Sequence, residues 1–178
     1  MKTYKRILAI DPANKGFGFA VMEGKNSLID WGVKEVKDNS SERCLIKTKG
    51  LIEQYLPESI IVEDYAGKDS RRCPRVQELI REIRKVASEN KIKVFSFSRA
   101  AIKEAFSSCN ALTKHEIAKA IAEELPELEL RLPSFRKPWM SEDYRMSIFD
   151  AVALALTFYY FYEHKKELNK QQKENISH

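Results

Sequence analysis

Three carboxylates stand where a solvated acid is not expected. Asp11 ends the apolar run ILAI (7–10), Glu63 ends SIIV (59–62), and Asp150 lies inside SIFDAVALAL with apolar neighbours on both sides. Burying an ionised carboxylate costs several kcal/mol unless it is paired or metal-bound. Each alone has an ordinary explanation: an acid bonding turn amides for Asp11, a salt bridge for Glu63, a backbone or tyrosine hydrogen bond for Asp150. The combination says more. If the strands ending in Asp11 and Glu63 are sheet neighbours, the two acids lie side by side, and Asp150 can close the cluster from a helix. Three converging carboxylates repel and need a counter-charge, and hard oxygen ligands suit Mg²⁺ or Mn²⁺. Two such ions ~3.5–4 Å apart serve in-line attack of water on a phosphodiester, one activating the water and one stabilising the leaving 3′ oxygen.

The elements that must position these acids follow from hydrophobic periodicity. Runs 5–10, 17–22 and 28–36 predict three successive strands joined by short turns. Residues 40–56 predict an amphipathic helix, with Cys44, Leu45, Thr48, Leu51, Ile52 and Tyr55 at helical spacing and Pro57 closing it. A buried strand over 59–65, a helix over 70–89 and a strand over 91–97 follow. A short helix is expected from Arg99 to Phe106, and another where Thr113 and Glu116 make a capping box. Residues 125–140 are Pro-rich and irregular, and a long apolar helix is expected from Ser141 past Phe161. The order βββαβαβαα plus a final helix predicts an α/β fold: a mixed five-stranded sheet, three antiparallel strands then parallel ones, flanked by helices.

Composition excludes several classes. The 178 residues suit a single domain, expected over 1–165, with a polar tail over 166–178 expected to fray. No signal pattern precedes the first strand, and the most apolar stretch, 151–162, is shorter than the roughly 20 residues a membrane span needs. Cys44, Cys73 and Cys109 form no CxxC pair, so neither a zinc site nor a disulfide framework is expected, and a cytoplasmic location is. The net charge of +5 and pI near 9.0 suit an acidic partner such as nucleic acid. No nucleotide cofactor is expected, since an actin-like or sugar-kinase ATPase needs a second domain for which 178 residues leave no space. His115, His164 and His178 show no ligand spacing.

The motifs ILAIDPANKGFGFAV, IIVEDY and IFDAVALAL, in this order and spacing, resemble the RuvC family of Holliday-junction resolvases, within the RNase H-like superfamily. The resemblance rests on Asp11, Pro12 and Gly18, on Glu63 and on Asp150, and spans nearly the whole chain. It implies an RNase H-like fold, two Mg²⁺ or Mn²⁺ ions, branched DNA as partner and a homodimer, with 70–89 as the dimer helix. It also implies catalytic lysines, matched by Lys103 in SRAAIKEAF and Lys114 in ALTKHEIA, which would offset transition-state charge.

The chain departs from the family in three places. The family's second aspartate, one helical turn before the last, is Ser147 here. On a continuous helix Asp143 would lie only ~20° round from Asp150, making it the substitute fourth ligand; Glu142 is a weaker choice. Both acids would otherwise serve as helix N-terminal charges behind a Ser141 cap. The family's junction-inserting aromatic matches Ala66, which leaves its neighbour Tyr65 as the candidate ring. The segment 125–140 is longer than the family's connection, and Phe135, Arg136, Lys137 and Trp139 there could grip DNA or form a packed lid. Lys68, Arg71, Arg72 and Arg75 form a basic patch after the Glu63 strand, suited to phosphate contacts.

The sequence thus points to a metal-dependent, structure-selective endodeoxyribonuclease for branched DNA. The alternatives are a related nuclease for flaps, R-loops or RNA–DNA hybrids, and a non-catalytic branched-DNA-binding module.

Overall fold

Period-two alternation along the first strand decides which residues meet which helices. In the computed structural model, which describes residues 5–66 and 72–176, strand β1 (Arg6–Ala13) is central and buried on both faces. It pairs antiparallel with β2 (Gly16–Glu23), which pairs antiparallel with β3 (Leu28–Glu35). On its other side β1 runs parallel to β4 (Ser59–Glu63), and β4 runs parallel to β5 (Lys93–Phe97). The sheet order is β3-β2-β1-β4-β5, the mixed five-stranded arrangement expected.

Two cores result, one on each face. Leu8 and Ile10 of β1, with Phe17, Phe19, Val21, Ile60 and Val62, face helices α1 (Ser41–Tyr55) and α2 (Pro74–Glu89). Ile7 and Ala9, with Ala20, Met22 and Ile61, face the long α5 (Met146–Ile176), with α4 (Lys114–Glu124) and the short α3 (Arg99–Ala105) packed beside it. The stretch of α5 from Ile148 to Ala155 is apolar nearly all round because it is covered nearly all round, by the sheet below and by α3 and α4 at its sides.

Local chemistry explains the helix boundaries. Ser40 caps α1, its Oγ accepting from Arg43 N, and Leu56 closes the helix in the left-handed conformation, one residue before Pro57. Pro74 occupies the first turn of α2, so this helix starts four residues later than periodicity suggested. The Thr113–Glu116 capping box forms as expected. Within the irregular segment, Pro126–Arg131 make a 3-10 helix.

The expected start of α5 is revised. The helix begins at Met146 rather than Ser141, so residues 141–145 are not helical. At the other end the polar tail continues the helix to Ile176. Among the described residues, no helix is long and apolar enough to cross a membrane.

Candidate active site

The pleat that builds the core also aims the acids. Asp11 follows Ile7 and Ala9 at steps of two, and Glu63 follows Ile61, so both fall on the α5 face of the sheet. The parallel register pairs Ile7 with Ser59 and Ala9 with Ile61; the same offset, carried two residues on, sets Asp11 opposite Glu63. Both stand at the carboxyl ends of adjacent parallel strands, and both are buried, with 3% and 4% of the residue exposed.

Gly18 brings in the third acid. It pairs with Asp11 across the β1–β2 ladder. A Cβ built there would sit 2.1 Å from the carbonyl oxygen of Ser147, so only glycine lets the first turn of α5 lie this close to β2. Asp150 follows one turn later, and all three acids line one cavity of about 250 Å³. Four cations line it too: Arg72, Arg99, Lys103 and Lys114. Ile102, Leu112, Ile117, Ala153 and Leu154 form its apolar wall.

Three of these cations are ion-paired with the acids. The Arg72 guanidinium donates from Nε to Glu63, from Nη2 to Asp11 and from Nη1 to the Pro12 carbonyl at 3.0 Å. Arg99 Nε lies 3.4 Å from the second Glu63 oxygen. Lys114 Nζ donates to Asp150 Oδ2 at 2.9 Å and to Glu142 at 3.2 and 3.4 Å. Burial pushes the Asp11 carboxyl up to about 7, against the pull of Arg72 and with a further push from Asp150. Burial likewise raises Asp150, opposed by Lys114. Burial alone would lower Arg72 and Lys114, but the surrounding acids outweigh it and hold both above their ordinary values.

The donor chemistry fits a hard divalent ion: three carboxylates face one cavity, and each already holds a positive group. The placement is a different matter. Among the described residues, no three His, Cys, Asp or Glu side chains present themselves to a single ion. The guanidinium bonded to both Asp11 and Glu63 occupies the position between them.

No family model matches the chain, and no curated protein matches it by sequence. Solved structures do match. The structure of Thermus thermophilus RuvC superposes with a TM-score of 0.66 at 19% identity, covering 90% of this chain and 96% of that one. The same protein in complex with a Holliday junction substrate gives 0.66 at 18%, with the same coverage. The yeast mitochondrial Holliday junction resolvase gives 0.63 at 15%, covering 95% of this chain and 85% of that one. The fold is RuvC-like.

Within this RuvC-like, RNase H-type frame the other expected site residues are found at various distances from the acids. Lys103 and Lys114 both line the cavity, as does Arg72, which the sequence reading assigned to a phosphate-binding patch. Arg75 instead reaches the carbonyls of Ala13 and Asn14, at 3.3 and 3.5 Å. Tyr65 is half-buried against the core on the α1–α2 side. Lys68 and Arg71 lie outside the described residues.

Asp143 is not brought to the cavity. It forms a two-point ion pair with Arg145, at 3.0 and 2.6 Å, which holds its carboxyl below the ordinary range. The helical-wheel argument that joined it to Asp150 needed a continuous helix through 143, and α5 starts three residues too late. Ser147 is buried and donates from Oγ to the Tyr144 carbonyl at 2.7 Å, so it closes the helix start and adds no carboxylate.

One site residue, Arg99, is not marked by the sequence pattern. Arg99 is the first residue of α3, straight after β5, so the parallel β4–β5 pairing carries it to Glu63. Glu142 serves as a partner of Lys114 rather than facing Asp150 directly. The signal for Arg99, a cation two residues past the end of a strand beside an acid-ended strand, is present but needs the strand order to be read.

Proposed function

We propose that this chain is a divalent-metal-dependent endonuclease that cuts branched DNA such as a four-way junction. The observation that carries the reading is the convergence of Asp11, Glu63 and Asp150, from two parallel strand ends and a helix, in a cavity rimmed by four cations on a RuvC-like fold.

Asp11, Glu63 and Asp150 would hold Mg²⁺ or Mn²⁺. A metal held there would supply Lewis-acid stabilisation of the phosphoryl oxygens and a nucleophile from water. The chain's own residues do the rest. Lys103 of α3 and Lys114 of α4 line the cavity and would balance charge that builds on the phosphate's non-bridging oxygens. Arg72 orients Asp11 and Glu63, and Arg99 orients Glu63, through their ion pairs. The apolar wall limits water around the acids and strengthens each of these interactions.

Two nicks placed symmetrically across a four-way junction need two active sites related by a two-fold axis, so the working form would be a homodimer. A second reading has its own observation. Arg72 neutralises two of the three acids as a permanent side-chain counter-ion would, and in a non-catalytic branched-DNA-binding module it would stay there.

Cleavage of a mobile four-way junction in Mg²⁺, beside flap, R-loop and hybrid substrates, decides between these readings. Paired nicks are expected from the wild type. They should be lost in Asp11→Asn and Asp150→Asn and retained in Asp143→Asn. Tight junction binding with no cutting in Mg²⁺ or Mn²⁺ would establish the binding module instead.

A further inference from the structure

The segment between the 3-10 helix and α5 leaves several large apolar side chains in water: Phe135, Trp139, Met140 and Tyr144 are all exposed, Trp139 to 78%. Exposed aromatics this closely spaced on a soluble chain mark a binding surface more often than chance. Their setting says which kind. Residues 137–140 form a hydrogen-bonded turn, with Met140 N donating to the Lys137 carbonyl at 3.0 Å. Pro138 and Trp139 are its two central residues. Arg136 ties the turn from outside by donating to the Met140 carbonyl. The indole is therefore presented on a fixed backbone, which lowers the ordering cost of any contact it makes.

Charge and position narrow the partner. Lys137 Nζ sits 5.3 Å above the Trp139 ring, and from 131 to 141 the chain carries Arg131, Arg136 and Lys137 and no acid. The turn is also wired to the catalytic cavity: Arg136 lies 3.8 Å from Glu142, Glu142 accepts from Lys114, and Lys114 donates to Asp150. Phe135 packs against His115, at ring-centroid separation 5.5 Å, beside that same lysine. An exposed indole flanked by cations, next to a phosphodiester-cutting centre, has the composition of a platform for an unpaired base and its phosphates.

We infer that Trp139 stacks on a nucleobase unstacked at the branch of the DNA, with Arg136 and Lys137 on the phosphates beside it. The inference rests on the nuclease reading above and adds a substrate-positioning residue outside the acid cluster. Tyr65, half-buried on the opposite side of the sheet, is then not needed as the wedge.

The test uses the full-length chain carrying Asp11→Asn, so that DNA stays intact, and four-way junctions with 2-aminopurine at the branch or within an arm. Binding should raise fluorescence only where 2-aminopurine neighbours the branch base, which leaves its stack for the indole; 2-aminopurine stacked on the indole itself would stay quenched. Adding Trp139→Ala should abolish that rise and weaken junction binding about 5- to 100-fold, the loss of one base–aromatic stack, with little change on linear duplex. Trp139→Phe should restore most of both, and circular dichroism should show all variants folded. Equal junction affinity and equal branch signal with and without Trp139 would overturn the inference while leaving junction cleavage by the wild type untouched. Absence of junction cleavage by the wild type would instead strike at the nuclease reading itself.

Discussion

Arg72 is the residue on which the state of the site turns. Its guanidinium satisfies Asp11, Glu63 and a backbone carbonyl at once, with the side chain 19% exposed. Removing one partner of a buried ion pair leaves the other charge uncompensated, at a cost of about 3–5 kcal/mol. Arg72→Gln should therefore lower the melting temperature in a metal chelator, and added Mg²⁺ or Mn²⁺ should recover the loss. The same variant should bind Mn²⁺ more tightly than the wild type by calorimetry, because the ion no longer competes with a tethered cation for Asp11 and Glu63. Equal chelator stability and equal metal affinity in the two proteins would show that the guanidinium does not hold these acids in solution. The sequence marks Arg72 as part of a basic patch, but its direction depends on how the chain enters α2 behind Pro74, which periodicity does not encode.

At the scale of elements, the site depends on how closely the first turn of α5 lies on β2. A methyl group at Gly18 would meet the Ser147 carbonyl carbon at 2.3 Å and its oxygen at 2.1 Å, both backbone atoms that cannot give way without moving the helix. Gly18→Ala should destabilise the fold by more than an ordinary core substitution, about 3 kcal/mol or more by chemical denaturation. It should also lift Asp150 away from Asp11 and impair cleavage in whatever fraction remains folded. Gly50 supplies the contrast. It lies in α1 with nothing near a built Cβ, so Gly50→Ala should stabilise by about 0.5–1 kcal/mol with cleavage unchanged. If both glycine variants behave alike, the close approach is not what holds α5 in place. The capping box at Thr113 is the element-level feature that was legible in advance, since Thr113 and Glu116 satisfy each other's backbone partners without help from the rest of the fold.

For the whole molecule, the excess of basic residues, +5 overall, sets an electrostatic background on which any specific contact is superimposed. Backbone neutralisation by lysine and arginine releases counterions, so junction affinity should fall steeply and linearly on a log–log plot as salt rises. Trp139→Ala should shift that line without changing its slope, because stacking releases no ions; a changed slope would assign Trp139 to the phosphate contacts. The proposed two-fold arrangement makes a second prediction. Light scattering of the free protein and of its junction complex should give twice the 20.6 kDa chain mass, and a monomer in both states would confine the enzyme to unpaired nicks.

What the sequence determined by itself is whatever depends on neighbours along the chain. Two-residue alternation placed Asp11 and Glu63 at strand ends, 3.6-residue periodicity placed Asp150 on a buried helix, and the strand pattern implied the mixed sheet. The convergence of the three acids was conditional on β1 lying beside β4, and the sheet order met that condition. Tertiary structure alone decided the rest. Asp143 was aligned with Asp150 on paper, but the start of α5 is set by where the chain leaves the irregular segment, and Arg145 holds the acid away from the cluster. Arg72 and Arg99 turn into the cavity because buried carboxylates attract whatever cations the fold brings within reach, and which cations those are is a fact about three-dimensional proximity that no local pattern records.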